Sequence, residues 1–151
     1  QERPLSSEAG FSLIELLIVL ALIAVLSMFG MPIYRNYLQS AHVTEGMNLA
    51  SGAKMELELY YMMNGRWPSQ SEGNEDLGLP KAEEITGSEV QSVAIKGGEI
   101  EILYNEKVTT ESGSGQGTIR LIADGTEGGS IHWRCMGRNI PEKSLPKECR
   151  P

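Results

Sequence analysis

The apolar residues of this 151-residue chain are concentrated in one run near the N-terminus, residues 16–33. The run carries no charge, and Ser27 is its only polar side chain. As a helix rising about 1.5 Å per residue, the run would be roughly 27 Å long, close to the hydrocarbon thickness of a bilayer. The pattern therefore predicts one helix that is long and apolar enough to cross a membrane.

A single acid, Glu15, precedes this run. An ionisable residue at or just below the membrane surface is costly without a partner, and no Lys or Arg lies between Phe11 and Tyr34. One candidate partner is the α-amino group of Phe11, which a cut after Gly10 would release and a neighbouring copy would offer. The alternative is an ordinary membrane anchor whose Glu15 rests among the headgroups. The pattern alone leaves both open.

Residues 34–63 change to an amphipathic helical pattern. Apolar residues recur in steps of three and four and form one stripe, which comprises Met47, Ala50, Ala53, Leu57 and Tyr60. We expect this stripe to pack on the chain's own core rather than on a partner. Gly65 and Pro68 then end the helix, because Gly supplies a C-terminal cap and Pro cannot continue the helix.

The rest of the pattern predicts a loop and four strands. Residues 69–89 are polar, Gly-rich and aperiodic, which predicts a surface loop with one short turn. In residues 99–104 isoleucines alternate with acids, which indicates a half-buried antiparallel sheet. The strand-like runs are residues 90–96 and 99–104 around a turn at Gly97-Gly98, then residues 118–123 and 130–136 around a turn at Asp124-Gly125.

Composition narrows the function classes. The net charge of −7 argues against a general nucleic-acid-binding surface. Cys135 and Cys149 stay thiols in a cytosolic chain, but in an oxidising compartment we expect a disulfide closing a loop of about 15 residues, worth roughly 3 kcal/mol. No CxxC pair is present, His132 is the only imidazole nearby, and the acids of residues 69–89 match no calcium loop. We predict neither a metal nor another cofactor.

No catalytic constellation stands out. His42 and His132 fall in different elements, and no Ser or Cys lies in a nucleophile motif. Phosphate-loop and dinucleotide fingerprints are also missing from the sequence. We therefore expect a chain that is not an enzyme.

The N-terminal residues carry a family resemblance. Residues 10–16 read Gly-Phe-Ser-Leu-Ile-Glu-Leu, and the apolar run leads to Pro32 and then Tyr34-Arg35-Asn36-Tyr37. This order closely resembles the N-terminal motif of type IV pilins. In that family a prepilin peptidase cuts after the glycine and methylates the new N-terminal Phe, and the acid contacts the N-terminus of an adjacent subunit. The resemblance implies cleavage between Gly10 and Phe11, methylation of Phe11, and assembly roles for Glu15 and Pro32.

The C-terminal residues extend the resemblance. Trp133, Cys135, Leu145-Pro146 and Cys149-Arg150 resemble the disulfide-bounded C-terminal loop of type IVa major pilins. The implied fold is α+β: a long N-terminal helix whose C-terminal half packs on a four-stranded antiparallel sheet. The implied organisation is a leader-like segment at 1–10 that is removed, an apolar assembly half at 11–33, and a globular head at 34–151, with its loop at 64–89, its sheet at 90–136 and its disulfide loop at 135–149.

The resemblance implies a structural subunit that polymerises into type IV pili for adhesion, twitching motility or DNA uptake. Its partners would be copies of itself, the bacterial inner membrane before assembly, the prepilin peptidase and the assembly machinery; the final location would be the extracellular pilus. A Sec signal peptide is rejected, because its apolar core is about 7–15 residues long and ends at a small-residue site. The rivals are a type II secretion pseudopilin or minor pilin, and a monomeric membrane-anchored binding domain.

One further feature concerns partners. Residues 132–151 carry more bases than acids on a chain that is −7 overall. A positive patch there would bind DNA phosphates or an acidic host surface; the alternative is scattered charge on a solvated loop. The bases are Arg134, Arg138, Lys143, Lys147 and Arg150.

Overall fold

The computed structural model describes residues 10–108, 115–125 and 130–151, so most of the leader-like segment lies outside the described residues. The chain divides into two compact units, of which the first ends at Arg35 and the second begins at Asn36. The order of elements is one long helix, a short helix and then four strands. The expected α+β architecture is confirmed.

The long helix, α1, spans Leu13–Asn64 and continues through Pro32. It ends where predicted: Gly65 has a φ of 65°, and its N–H donates to the Tyr61 carbonyl at 2.8 Å. Only glycine adopts that left-handed conformation freely, so Gly65 is the C-terminal cap that the sequence indicated.

In the first unit the large apolar side chains of α1 are exposed. Every large apolar side chain from Leu13 to Ile33 is at least half exposed, and Phe11 is 89% exposed. The most apolar 18-residue window of α1 has a mean hydropathy of 2.7, and none of it is buried among the described residues. By length and composition this segment is able to cross a membrane.

In the second unit α1 packs on an antiparallel sheet with strand order β1-β2-β3-β4. The predicted stripe is confirmed for four of its five members: Ala50, Ala53 and Leu57 are buried, and Met47 packs against the same core. The fifth, Tyr60, is half-buried and does not belong to that core. The sheet contributes the other half of the core through alternate residues, such as Ile100, Ile102 and Tyr104 of the second strand. The strands are β1 (Val90–Lys96), β2 (Glu99–Tyr104), β3 (Thr118–Gly125) and β4 (Ile131–Arg138).

The core stripe of α1 also includes Val43 and Gly46, which the apolar pattern did not reveal. Gly46 makes room for the ring of Tyr104, because a Cβ at Gly46 would lie 2.2 Å from the Tyr104 hydroxyl oxygen. That hydroxyl is fully buried and donates to the Val43 carbonyl at 3.0 Å. Burial raises the pKa of Tyr104, so the hydroxyl keeps its proton and remains a donor.

The first predicted turn is confirmed and the second is wrong. Gly97-Gly98 joins β1 to β2, with Lys96 paired to Glu99. Asp124 and Gly125, by contrast, belong to β3 and pair with β4. The glycine lets Tyr61 lie close to this strand, since a Cβ at Gly125 would lie 2.8 Å from the Tyr61 hydroxyl oxygen. Residues 126–129, which connect these strands, lie outside the described residues.

The prediction of a surface loop with one short turn at residues 69–89 is incomplete. The segment contains a short helix, α2 (Gly73–Asp76), and a 3₁₀ turn (Ala82–Glu84). Buried Asn74 fixes the segment to β1: its amide donates to the Val93 carbonyl at 3.1 Å and accepts the Ile95 N–H at 2.8 Å. Asn74 therefore occupies main-chain groups of β1 that a further strand would otherwise use.

Candidate assembly site

The start of α1 is organised by a local hydrogen bond. Ser12 precedes the first helical residue, Leu13, and its N–H donates to Oε2 of Glu15 at 2.9 Å. This is the acidic half of a capping box, in which the third helical residue satisfies an orphan backbone donor. The Ser-x-x-Glu spacing of residues 12–15 is the sequence signal of this interaction.

The hydrogen bond leaves the charge of Glu15 unbalanced, because a backbone N–H carries no full charge. From Gly10 onward, the described part of the chain offers no base before Arg35. The residues around Glu15 are apolar and exposed: Ile14 is 63% exposed and Leu16 is 57% exposed. From Gly10 to Tyr34, the described chain therefore supplies Glu15 with a hydrogen-bond donor but with no basic side chain.

Pro32 lies inside α1 without interrupting it. Proline has no N–H, so the carbonyl one turn earlier loses its helical donor, and the ring crowds that turn. The helix is therefore locally weaker at Pro32 than its continuity suggests. The helix around Pro32 is also not tightly packed. A Cβ added at nearby Gly30 would meet no described side chain or other element within 4 Å.

The predicted disulfide between Cys135 and Cys149 is present. Cys135 lies on β4 and Cys149 in the 3₁₀ turn Lys147–Cys149, with their Cα atoms 4.5 Å apart. Cys149 is only 3% exposed. The bond therefore holds the C-terminal segment beside β4.

The five predicted basic residues lie at this same end of the sheet and are exposed. Arg134 and Arg138 alternate with inward-facing residues of β4. Lys143 and Lys147 belong to two 3₁₀ turns, and Nε of Arg150 donates to the Leu145 carbonyl at 3.1 Å.

Comparison with known proteins identifies the fold and the N-terminal motif together. Residues 40–150 match the family model of pilins, the proteins of bacterial filaments. Residues 5–31 match the prokaryotic N-terminal methylation motif. The chain belongs to the pilin family. The resemblance to type IV pilins is thereby confirmed.

The curated relatives of this pilin match along almost its whole length. It is 30% identical to a fimbrial protein of Neisseria meningitidis serogroup A, over 95% of this chain and 94% of the relative. It is 33% identical to the fimbrial protein EcpC of Eikenella corrodens, over 95% and 91%. With the type IV major pilin protein PilE1 of Neisseria gonorrhoeae the identity is 31%, over 95% and 87%.

These findings establish what kind of molecule the chain is. The pilin is a structural subunit of type IV pili. Its methylation motif and apolar N-terminal helix fit anchoring in the membrane before assembly, and the assembled pilus is extracellular.

The head of this pilin is also tied to α1 by polar contacts near Trp133. Its indole Nε1–H donates to Oε1 of Glu58 at 2.6 Å, and Nζ of Lys54 lies 4.9 Å from the ring centroid. Lys54 and Glu58 are one helical turn apart, so α1 presents both to a single aromatic side chain. These contacts orient β4 against the helix.

A second polar contact fixes the segment before β1. The Glu45 carboxylate accepts the N–H of Ser88 at 2.8 Å and of Glu89 at 3.4 Å. The Ser88 hydrogen bond is the main cause that lowers the pKa of Glu45 below its ordinary value. Glu89 in turn pairs with Lys107 at 2.8 Å.

The outward side of α1 in the globular unit carries large exposed apolar side chains beside the exposed Glu56. Met55, Leu59, Met62 and Met63 are between 50% and 76% exposed and recur at helical spacing. They lie on the side of the helix away from Ala53 and Leu57.

The two histidines lie on different elements. His42 is half-buried on α1, and His132 is exposed on β4.

Proposed function

We propose that the leader of this pilin is cut between Gly10 and Phe11 and that Phe11 is methylated, both by a prepilin peptidase. We further propose that the Glu15 carboxylate then pairs with the new α-amino group of an adjacent subunit. The observation that carries this proposal is the position of Glu15, a lone acid at the start of an exposed apolar helix. Among the described residues, the Glu15 side chain has one hydrogen-bond partner, the neutral Ser12 N–H.

The pairing makes assembly depend on charge. In a lone subunit at the membrane surface, Glu15 keeps the Ser12 N–H as a donor but has no basic partner among residues 10–34. A methylated α-amine stays protonated at neutral pH and still carries hydrogen-bond donors. When the amine of another copy meets Glu15, two charges that are costly in an apolar environment neutralise one another. Copies therefore stabilise each other where a single subunit cannot.

Pro32 has a separate role in this proposal. When apolar helices pack side by side in a filament, the stretch around Pro32 unwinds. The missing N–H of Pro32 lowers the free-energy cost of unwinding, because one helical hydrogen bond is already absent there. Exposed methionines on the outward side of α1 support close packing between copies, since an unbranched thioether adapts to irregular neighbours.

In this proposal the subunit is anchored in the inner membrane before assembly, and the assembly machinery transfers it into the filament. We propose that it is the main subunit of its pilus, because relatives that match along most of their length bear the name of major pilins. We assign no catalytic step to any residue of the chain. Adhesion, twitching motility and DNA uptake stay predictions from the resemblance.

The test separates the charge of Glu15 from its hydrogen bond. Glu15→Gln keeps a side-chain oxygen that accepts the Ser12 N–H but has no charge. Glu15→Ala removes both. Each variant is expressed in place of the native subunit, and pilin is measured in the sheared filament fraction and in the membrane fraction.

We expect both variants to accumulate in the membrane and to be missing from the sheared fraction. The Gln variant should fail as completely as the Ala variant, since neutralisation drives the contact. Normal filaments from Glu15→Gln would show that capping, not charge, is the function of this residue. Normal filaments from both variants would favour an anchor in which Glu15 is incidental.

A further inference from the structure

Exposed charged side chains flank both edges of the sheet in the globular unit. β1 and β4 form these edges. Residues 69–89 lie along β1, held there by Asn74 and by the Gly97 N–H, which donates to the Ser69 carbonyl at 3.1 Å. Residues 139–151 lie beside β4, held by the disulfide. Each edge therefore has its own flanking segment.

These flanking segments have opposite charge. Among residues 69–89, five exposed acids stand against one exposed lysine, Lys81, and the exposed Lys96 of β1 is paired with Glu101. We call the acids Glu72, Glu75, Asp76, Glu83 and Glu84 the acidic edge. On β4 and the segment beside it, five exposed bases stand against two exposed acids; we call the bases Arg134, Arg138, Lys143, Lys147 and Arg150 the basic edge.

Between the edges, charges on the outer face of the sheet are paired across neighbouring strands. Nζ of Lys96 lies 2.5 Å from Oε1 of Glu101. The Arg120 guanidinium binds both carboxylate oxygens of Glu99, with Nη2 to Oε2 at 2.6 Å. The centre of this face is consequently neutral, so the opposite charges of the two edges are not compensated by what lies between them.

We propose that the basic edge of one subunit docks on the acidic edge of the next subunit in the filament. The proposal rests on the proposed function above, polymerisation of this chain, and names surfaces that meet in it. The contact joins two different surfaces, so each subunit keeps one edge free for a further copy. A heterologous contact of this kind repeats without closing, which is what a filament requires.

A second copy fits the basic edge better than a nucleic acid does. The chain as a whole carries −7, which repels a polyanion beyond the reach of the local patch. Salt screens charges over about 8 Å at physiological ionic strength, so attraction acts mainly between surfaces already held close. Assembly holds copies in this way and raises the effective concentration of one edge near the other.

The structure shows which acids serve the head's own fold. The Asp76 carboxylate accepts the Ser69 N–H at 2.7 Å, and Glu84 accepts the Lys81 N–H at 3.3 Å. The side chains of Glu75 and Glu83 make no hydrogen bond or ion pair with the described residues and are exposed. Reversing these two charges therefore tests docking while leaving the segment's own contacts in place.

The basic edge offers a similar choice. Arg150 donates to the Leu145 carbonyl, so it supports the C-terminal segment. The ammonium groups of Lys143 and Lys147, within the part of the chain that the structure describes, have no acidic partner. These two lysines are the matching positions for reversal.

The experiment uses the full chain in pilus-forming cells. One variant carries Glu75→Lys and Glu83→Lys, a second carries Lys143→Glu and Lys147→Glu, and a third carries all four substitutions. Pilin is measured in sheared filaments, and pilin in the membrane fraction checks folding. We expect each two-residue reversal to reduce the yield of filaments on the order of tenfold, because attraction between the edges becomes repulsion. The variant with all four substitutions restores opposite charges and should recover most of the yield.

A matched control tests position against net charge. Glu142→Lys with Glu148→Lys is the same chemical change as the acidic-edge reversal and alters net charge equally, but it strengthens the basic edge. We expect undiminished filaments from this variant. A loss as large as that of Glu75→Lys with Glu83→Lys would mean that net charge, not complementary edges, governs assembly, and would overturn the proposal.

The remaining outcomes separate docking from polymerisation itself. Normal filaments from both reversals, with Glu15→Gln still blocking assembly, would overturn the docking proposal and leave the proposed function intact. Normal filaments from Glu15→Gln as well would overturn the proposed function. If reversal of the lysines abolished retention of duplex DNA but left filament yield unchanged, the basic edge would serve nucleic acid, against the proposal.

Discussion

Replacement of Gly46 by Ala tests the packing of α1 on the sheet. The added Cβ would lie 2.2 Å from Oη, 2.6 Å from Cζ and 2.8 Å from Cε1 of Tyr104. The ring has nowhere to go, because it is fully buried and its hydroxyl is bonded to the Val43 carbonyl. Either the ring or the helix must shift.

Two opposing terms decide the size of the effect. Gly→Ala inside a helix stabilises by about 1 kcal/mol, because glycine loses more backbone freedom on folding. Overpacking a filled core costs about 1–3 kcal/mol. Gly52 is an exposed position of the same helix, and a Cβ there meets nothing within 4 Å. Gly52→Ala therefore gains the backbone stabilisation without the overpacking cost, and the difference between the two variants measures that cost.

With three side-chain atoms of Tyr104 closer than 3 Å, we place the overpacking cost at the upper end, about 3 kcal/mol. Gly52→Ala should then be about 1 kcal/mol more stable than the native chain and Gly46→Ala about 2 kcal/mol less stable. At about 4 °C per kcal/mol, the melting temperatures of the two variants should differ by about 12 °C. Thermal unfolding of the full chain in detergent micelles measures this difference. Equal melting temperatures would refute the packing argument.

Further predictions concern the covalent and polar ties of the head. Reduction of the Cys135–Cys149 disulfide should lower stability by about 3 kcal/mol, measured as a lower melting temperature in reducing buffer; an unchanged value would show that the loop is held without it. Asn74→Ala leaves the Ile95 N–H without its acceptor and should cost about 3 kcal/mol in urea unfolding, whereas a cost below 1 kcal/mol would contradict the edge-anchoring role. The pKa of Glu45 is lowered in the fold, so its contribution is complete above its ordinary value near 4.5 and is lost as pH falls through the lower folded value. Stability should therefore fall less in acid for Glu45→Gln than for the native chain, and parallel pH profiles would contradict this.

The architecture was predictable from the sequence because its signals are periodic. A charge-free run, a helical stripe and strands of alternating residues each report the environment of a whole element. The first hairpin followed from two adjacent glycines between such strands. The disulfide followed from two cysteines in a chain with a membrane segment, whereas Trp133 marked the C-terminal segment only through resemblance.

What escaped prediction depends on contacts between distant residues. Gly46 belongs to the core because the Tyr104 ring needs its space, and no apolar pattern marks a glycine. Asn74 is buried although it is polar, because the exposed edge of β1 supplies its partners. Gly125 looked like a turn residue but serves close packing against Tyr61. In each case a residue on another element sets the requirement.

The candidate site was predictable for a different reason. Glu15 is conspicuous as a lone acid before an apolar run, and its cost in a membrane follows from elementary electrostatics. Its hydrogen bond with the Ser12 N–H was also readable from the Ser-x-x-Glu spacing. The separation of charge between sheet edges was not readable, because strand order had to be known before the two segments could be assigned to opposite sides.

The most direct test of the account is the intact mass of the subunit in filaments sheared from the cell surface. The account predicts a mass that begins at Phe11, carries one added methyl group and lacks the two hydrogens lost to one disulfide. A filament subunit that still carries residues 1–10, or one that begins at Phe11 without the methyl group, would contradict it.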